Sequence, residues 1–267
     1  MTLTSDPCHV ALVAGGTSGL GLATARHLLA RGMRVVLLAR DADRGHAAVK
    51  ALGPGAAFTS GDVAAPAAVD EALDIAEALG SLRLAVDCAG VSRPGAVLGR
   101  GGPLALEDFT AMISSNLTGA FNLTRLAAAR MAAREPVDAE RGLIVLTASA
   151  AAFDGQRGQA PYAAAKAGVV GMTLPLARDL AAHAIRVVTV APGLFDTPML
   201  RGLPDRALHG LARELVHPRE FGDPERYAAL VGHILDNPMI NGTTLRLDGA
   251  VRLPSGLPHR TPEGHSS

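Results

Sequence analysis

Seven apolar runs alternate with helical patterns along the chain, and this alternation constrains the fold more than any other feature of the sequence. Each run is nearly continuous rather than alternating with polar residues, as is typical of strands covered on both faces. The predicted strands occupy residues 9–15, 34–40, 56–62, 82–90, 142–149, 185–193 and 243–249, and the intervening helical patterns include 21–32, 66–80 and 106–135. With right-handed crossovers, this βαβ series predicts an α/β fold: a Rossmann-like, doubly wound, seven-stranded parallel sheet with helices on both faces.

Composition limits the domain organisation and the classes of ligand. No shift in composition divides the 267 residues, so we predict a single domain over 1–252 and a partly flexible tail over 253–267. The formal net charge is zero and aromatic residues make up 3%, which argues against a nucleic-acid-binding surface. No apolar stretch approaches the ~18 residues of a membrane span. We therefore expect a cytoplasmic protein that binds neither nucleic acid nor membranes.

The cysteines and histidines indicate neither a disulfide nor a metal site. Cys8 and Cys88 are predicted to lie at opposite ends of the sheet, whereas a disulfide needs Cα atoms within about 7 Å, so we expect free thiols. The nine histidines show no metal-ligand spacing, and we expect no bound metal.

Two long segments, 91–106 and 194–217, follow the fourth and sixth predicted strands. Both leave the carboxyl edge of the sheet, where open α/β folds bind their ligands, and we interpret both as functional loops. Arg93 and Arg100 in the first loop are candidates for binding the phosphates of a coenzyme A carrier; a solvated loop with two arginines is the equal alternative.

The sequence AGGTSGLG at 14–21 ends the first strand and opens the first helix. Gly15 permits a tight turn, Gly19 allows the backbone to approach a pyrophosphate, and Gly21 allows close packing of helix on strand. The helix N-terminus then offers unpaired N–H groups to phosphates. This context predicts a dinucleotide site.

The residues after the second strand bear on the choice of dinucleotide. An acidic residue there favours a ribose with a free 2′-hydroxyl, and a basic residue favours a 2′-phosphate. Arg40 stands at this position, so NADP is favoured, while NAD stays open because Asp41 can turn inward instead. Asp62, after the third strand, is predicted either to accept a hydrogen bond from the adenine amino group or to cap the next helix.

Tyr162 and Lys166 are the most informative pair in the sequence, because the chain has only two tyrosines and two lysines. Four residues apart on a helix, they share one face. A phenol exchanges protons poorly at neutral pH, and an ammonium ~4 Å away stabilises its ionised form by roughly 4 kcal/mol at an effective dielectric of about 20. Lysine also combines this charge with a compact head that can bind a ribose, which the planar guanidinium of arginine does not reproduce.

Two further polar residues are predicted to join this pair. Ser149 ends the fifth strand, where its hydroxyl can bind a substrate carbonyl oxygen or serve a structural role. Asn116 lies inside the long helical pattern 106–135, where it is predicted to bend the helix and hold a water that connects Lys166 to solvent. A satisfied core amide is the alternative for Asn116.

Together, the motifs GGTSGLG, DCAG, SSNLTG, TAS, YAAAK and APGLFDT resemble the classical short-chain dehydrogenase/reductase family, from residue 9 to about 252. More narrowly, AAFDGQRGQAPYAAAK and INGTTLRLDGAVR resemble the type II 3-hydroxyacyl-CoA dehydrogenases, also known as short-chain 17β-hydroxysteroid dehydrogenases. The resemblance implies that Tyr162 is the catalytic acid/base, Lys166 its activator and ribose ligand, Ser149 the carbonyl anchor and Asn116 the relay.

The resemblance also implies the ligand contacts and the assembly. Cofactor contacts are expected from Gly15, Ser18, Gly19, Leu20, Gly21, Arg40, Asp62, Val63, Cys88, Ala89, Gly90, Tyr162, Lys166, Pro192, Phe195 and Thr197, and substrate contacts from Ser149, Gln156 and Tyr162. A homotetramer, built partly by pairing the helices predicted at 106–135 and 161–182, is implied as well.

Three residues depart from the family pattern. Ala14 replaces a threonine that braces the glycine turn. Asp87 replaces the usual asparagine, so that an amide donor becomes an acceptor only. Ala39 stands where NAD-using relatives carry a ribose-binding aspartate, which is why their cofactor preference does not transfer to this chain.

The first functional hypothesis is therefore an NAD(P)-dependent oxidoreductase that moves hydride between nicotinamide and a 3-hydroxyacyl or 3-oxoacyl-CoA thioester. A dehydrogenase or reductase of a steroid-like or other cyclic alcohol is the enzymatic alternative. A dinucleotide-binding scaffold without turnover is the alternative from another class, although the complete set of four polar residues argues against that as the only role.

Overall fold

The protein is described by a computed structural model that covers residues 9–255. Seven strands form one sheet: β1 (His9–Ala14), β2 (Arg34–Ala39), β3 (Ala56–Ser60), β4 (Ser81–Asp87), β7 (Gly142–Thr147), β8 (Ile185–Pro192) and β9 (Thr244–Leu247). Two short strands, β5 (Leu98–Gly99) and β6 (Gly102–Pro103), form a separate antiparallel hairpin. The helices are α1 (Gly19–Ala30), α2 (Ala42–Leu52), α3 (Pro66–Leu79), α4 (Leu106–Ile113), α5 (Gly119–Ala132), α6 (Ala160–Leu180), α7 (Pro198–Arg201), α8 (Asp205–Ala212) and α9 (Pro224–Asp236).

The seven-stranded sheet has the order β3-β2-β1-β4-β7-β8-β9, and every pairing in it is parallel. The order reverses between β1 and β4, where the chain first leaves one half of the sheet for the other. This confirms the predicted doubly wound Rossmann-like fold. A reversal of this kind opens a crevice at the carboxyl ends of the strands, and the crevice positions the ligand site.

Helices cover both faces of the sheet because successive strand residues point to opposite sides. In β1, Val10 and Leu12 pack into a core shared with α3, α5 and α6, whereas Ala11 and Val13 pack into a second core with α1 and α9. All six residues of β1 are buried. Burial on both faces explains why this strand is a continuous apolar run in the sequence.

The structure differs in two respects from the single helix predicted over 106–135. The helix ends earlier, at Ala132, and it is interrupted by a π-helical segment over Ser114–Thr118. That segment contains Asn116, whose side-chain amide donates to the main-chain oxygen of Met112 four residues earlier. A π-helical turn widens the helix locally, and such turns are frequent at functional sites.

Both segments predicted as irregular loops contain regular structure. The segment 91–106 includes the hairpin of β5 and β6 and ends on the first residue of α4, and 194–217 includes α7 and α8. In α8, Ala207 and Leu211 are buried one helical turn apart, which gives this short helix its apolar face. Among residues 9–255, no helix is both long and apolar enough to span a membrane. Cys8 and the end of the predicted tail, 256–267, lie outside the described residues.

Candidate active site

A cavity of about 880 Å³ opens at the carboxyl edge of the sheet, at the point where the strand order reverses. Apart from the candidate coenzyme A ligands Arg93 and Arg100, its walls include every residue that the sequence predicts for cofactor, substrate or catalysis, from Gly15 to Thr197. Arg93 and Arg100 are exposed and lie outside these walls. Within residues 9–255, no group of three or more histidine, cysteine or acidic side chains is arranged to hold a metal.

The glycine turn fits the dinucleotide that the sequence predicts. Gly15 has φ +72°, and a Cβ on it would stand 2.7 Å from the main-chain nitrogen of Ala89. A Cβ on Gly21 would stand 2.3 Å from the Gly15 oxygen, so α1 packs directly on the turn. Ser18 is the N-cap of α1, and its side chain makes no capping hydrogen bond. The turn therefore leaves room for a ligand to approach the backbone closely. Gly19, Leu20 and Gly21 of the first helical turn line the cavity, and the Ser18 side chain does not use their N–H groups.

At the ribose end of the cavity, Asp41 is turned towards its own helix. Its carboxylate accepts hydrogen bonds from the main-chain N–H of Arg44 at 3.0 Å and from the Arg44 guanidinium at 2.7 Å. These bonds lower the pKa of Asp41, the main-chain bond most. Arg40 is exposed, lines the cavity, and forms no ion pair within the part of the chain that the structure describes. Arg44 also lines the cavity, but its guanidinium is paired with Asp41, so Arg40 offers the cation at this end that is not engaged by that pair.

The second predicted alternative for Asp62, that it caps the next helix, is wrong, because the N-cap of α3 is Ala65 and no side chain caps that helix. One carboxylate oxygen accepts the main-chain N–H of Ala64 at 2.9 Å, in the turn that precedes α3. Asp62 also lines the cavity, so this local bond does not remove it from the adenine end.

Tyr162 and Lys166 lie one turn apart on α6, as predicted, and both line the cavity. The Lys166 ammonium stands 5.9 Å from the centroid of the Tyr162 ring. The lysine is only 4% exposed, and its Nζ donates to the main-chain oxygen of Thr147 at 2.8 Å. Because one strong acceptor at the end of β7 holds the charge, the ammonium is fixed beside the phenol rather than free to reach solvent.

The side-chain oxygen of Asn116 is an unused hydrogen-bond acceptor near the Lys166 ammonium. The Asn116 Nδ2 donates to the main-chain oxygens of Val91 and Met112, at 3.0 and 3.1 Å, which fixes the orientation of the amide. Its Oδ1 is buried and has no hydrogen-bond partner among the described residues. A Cβ on Gly90 would lie 2.6 Å from this oxygen and 3.4 Å from Lys166 Nζ, so the absence of a side chain at Gly90 leaves the space between them. A buried acceptor facing a cation across such a space is suited to an ordered water.

Ser149 follows β7 and lines the same cavity. Its Oγ accepts the main-chain N–H of Ala151 at 3.1 Å. Because this bond uses a lone pair of the hydroxyl and not its hydrogen, the O–H is left to donate to a ligand oxygen.

A buried polar cluster lies behind the site and was missed by the sequence analysis. Thr147 Oγ1 contacts the hydroxyl of Tyr227 at 2.7 Å and donates to the main-chain oxygen of Asp87, and the Cys88 sulfur lies 3.7 Å from both hydroxyls. Burial raises the pKa of the Cys88 thiol to about 11 and raises that of Tyr227 well above its ordinary value. Both groups are therefore neutral, so Cys88, which is half-buried and lines the cavity, stays a thiol rather than a thiolate nucleophile. Tyr227 belongs to the apolar face of α9, so its sequence context indicates only a core residue.

Asp87 is the only carboxyl at the base of the site that is almost completely buried among the described residues, with 1% exposure. Its Oδ1 accepts the main-chain N–H of Ala89 at 3.0 Å. Burial raises the pKa of Asp87 to about 6, and the nearby Lys166 charge acts in the opposite direction. A second missed residue is Gln159, whose Oε1 is buried in the cavity wall without a partner among residues 9–255.

Comparisons with known proteins agree with this geometry. The family profile described as short chain dehydrogenase matches residues 9–207. The chain is 47% identical to the human 3-hydroxyacyl-CoA dehydrogenase type-2 over 248 residues, covering 91% of this chain and 95% of that protein. It is 33% identical to ipsdienol dehydrogenase of Ips pini, covering 91% of this chain and 96% of the relative.

The fold is also similar to that of solved structures. The crystal structure of a 3-hydroxyacyl-CoA dehydrogenase type-2 from Mycobacterium avium superposes with a TM-score of 0.89 at 41% identity, covering 95% of this chain and 100% of the other. A 3-ketoacyl-(acyl-carrier-protein) reductase from Brucella melitensis, complexed with NADH, shares the fold with a TM-score of 0.81 at 24% identity, covering 92% of this chain and 98% of the other.

Proposed function

The chain belongs to the short-chain dehydrogenase family and is an oxidoreductase, and from this premise we propose that its substrate is a 3-hydroxyacyl or 3-oxoacyl-CoA thioester. The single observation that carries the proposal is the meeting of Tyr162, Lys166, Ser149 and Asn116 in the walls of one cavity with the glycine turn. The high identity with relatives named 3-hydroxyacyl-CoA dehydrogenase type-2, over almost their whole length, supports the choice of substrate.

A bound nicotinamide would supply or accept the hydride at the substrate carbon. In the reducing direction, Ser149 donates a hydrogen bond to the carbonyl oxygen and Tyr162 gives that oxygen its proton. The Lys166 ammonium then stabilises the phenolate, 5.9 Å from the ring centroid. Asn116 Oδ1 holds the water that returns a proton to Tyr162 from solvent through Lys166. Oxidation of the alcohol reverses each step.

The direct test is to measure oxidation of NADPH and NADH with acetoacetyl-CoA. Turnover with the thioester is the expected result. Turnover restricted to cyclic ketones would show that the substrate is a cyclic alcohol or ketone and not a thioester. Binding of the dinucleotide without turnover of any ketone would contradict the proposed mechanism, because the four residues would then serve a scaffold.

We further propose that the enzyme prefers NADP, with Arg40 as the ligand of the 2′-phosphate. Arg40 lines the cavity, and Asp41 is committed to Arg44 rather than to the ribose. Ala39 offers no carboxylate at the end of β2. A free ribose 2′-hydroxyl therefore has no acidic partner at this position, whereas a phosphate has a cation.

Arg40→Ala is expected to weaken NADPH binding by about tenfold or more, because a hydrogen bond to a charged group contributes about 1.5–3 kcal/mol. NADH binding should stay within about twofold, since its ribose carries no phosphate for Arg40 to bind. Both affinities can be measured by titrating cofactor fluorescence. Arg100→Ala is the matched control, because Arg100 is exposed outside the cavity. Equal losses for the two cofactors would contradict the role of Arg40.

We also propose that the enzyme is a homotetramer of the cytoplasm. Large apolar side chains are exposed on the helical run α4 to α5 and on α6: Phe109 is 38%, Phe121 47% and Leu174 44% exposed. Pairing these helices between subunits would remove the side chains from water, which favours association. Sedimentation of the purified protein should give the mass of four chains, and a monomer would contradict this assembly.

A further inference from the structure

Resting on the proposed function, we propose that residues 251–255, here called the C-terminal strap, form a wall of the substrate pocket, and that Leu253 sets which acyl chains fit. Leu253 lines the cavity that contains Tyr162. Of the strap residues, Leu253 is the one that lines the cavity, and its side chain is apolar. The residue would thus contact the acyl group rather than the reacting atoms.

The strap is attached on both sides of Leu253. On one side, Val251 is fully buried, and its main-chain oxygen accepts from the guanidinium groups of Arg252 at 2.7 Å and Arg246 at 3.3 Å. On the other side, the main-chain oxygen of Ser255 accepts the N–H of Arg157 at 2.8 Å. A segment of five residues held at both ends in this way has little freedom to leave the cavity.

These attachments place Leu253 at the substrate end of the cavity. Two residues of chain span at most about 7 Å, so Leu253 lies near Arg157 and its neighbour Gln156, which is the predicted substrate contact. Gln156, Arg157 and Gly158 line the cavity with it. The glycine turn and Arg40, which mark the cofactor end, belong to the opposite half of the sheet. A substitution at Leu253 should therefore change the binding of the acyl chain and leave the binding of the dinucleotide unchanged.

An ion-pair network fixes the strap to the segment 153–156, which ends at Gln156. Arg246 of β9 pairs with Asp154 at 2.5 Å and with Asp248 at 2.6 Å, and Arg252 pairs with Asp248 at 3.2 Å. The Arg246 guanidinium also stands 4.9 Å from the centroid of the Phe153 ring. One arginine thus holds both the loop that leads to Gln156 and the strap that carries Leu253. The pocket wall is preorganised, which makes its shape a determinant of specificity.

The test compares acyl chain lengths within each variant. Leu253→Ala enlarges the pocket, and we expect the ratio of kcat/KM for 3-oxodecanoyl-CoA to that for acetoacetyl-CoA to rise about tenfold. Leu253→Phe narrows the pocket and should lower the same ratio by a similar factor. Because each ratio is taken within one preparation, a partly unfolded variant does not distort it. The KM for the cofactor should not change in either variant.

Met239→Ala is the matched control, since Met239 is 89% exposed and does not line the cavity. Ratios that stay at the parent value in both Leu253 variants, or that move in the same direction in both, would overturn the role of the strap. Failure of the parent enzyme to turn over any acyl thioester would instead overturn the proposed function. In that case, the same ratio measured between a long and a short methyl ketone tests Leu253 independently.

Discussion

Tyr162→Phe is expected to lower kcat for ketone reduction by about 10²–10⁴-fold, which is the usual contribution of a positioned acid or base. The substitution removes the one phenolic proton that stands beside the buried Lys166 ammonium. It leaves the ring, and hence the packing of α6, in place. Cofactor affinity should fall by no more than about tenfold, because only the contact expected from the Tyr162 hydroxyl is lost, at about 0.5–1.5 kcal/mol, while the glycine turn and Arg40 are untouched. Steady-state kinetics together with cofactor titration separate these two effects.

The chain supplies its own control for this experiment, since Tyr227 is its only other tyrosine. Tyr227→Phe removes the same atom from a fully buried side chain that contacts Thr147 at 2.7 Å. We expect a loss of about 1 kcal/mol in the free energy of unfolding, as for an ordinary hydrogen bond, and a kcat within a few-fold of the parent. A Tyr162→Phe enzyme that reduces ketones as fast as Tyr227→Phe does would refute the assignment of the acid.

The sheet could be predicted from the sequence because burial on both faces leaves a clear pattern. In β1, Val10 and Val13 point to opposite cores, so no polar residue interrupts the run. The meeting of the proposed catalytic residues in one cavity could be predicted for a related reason. Tyr162 and Lys166 are rare residue types at helical spacing in this chain, and the carboxyl ends of parallel strands meet at one edge.

What escaped prediction depends on contacts between segments that are distant in the chain. Thr147 and Tyr227 are 80 residues apart, and each alone is an ordinary buried residue. The strap is held by Arg157, which lies almost a hundred residues before Ser255 in the chain, so a Pro-containing terminal segment was interpreted as part of a tail. The hairpin of β5 and β6 has only two residues in each strand, too few to show any periodicity.

Asp87→Asn is expected to stabilise the protein above pH 6, by up to roughly 3 kcal/mol in the free energy of unfolding. The pKa of Asp87 is raised from an ordinary 3.8 to about 6, chiefly by burial, and each unit of pKa corresponds to about 1.4 kcal/mol. Between these two values the folded protein binds more protons than the unfolded chain. Stability therefore falls as the pH rises through this window, and the loss is complete above pH 6.

Asparagine removes this penalty without removing the local hydrogen bond. Its side-chain oxygen can accept the Ala89 N–H that Asp87 now accepts at 3.0 Å, and the amide carries no charge at any pH. The gain over the parent should consequently be largest at pH 8 and shrink towards pH 4, where the parent carboxyl is already protonated. Urea unfolding of both proteins at unit steps from pH 4 to pH 8 measures this difference. Comparing the two proteins at each pH cancels the titration of the groups they share.

Asp43→Asn provides the matched control. Asp43 is exposed in the first turn of α2, so the same chemical change is made there in water. Its effect should be a few tenths of a kcal/mol and nearly independent of pH. If the Asp87→Asn difference were equally flat between pH 4 and pH 8, the Lys166 ammonium would offset the burial of Asp87 in full. The carboxylate would then carry no net cost in the folded protein, and asparagine at position 87 would not stabilise it at any pH in this range.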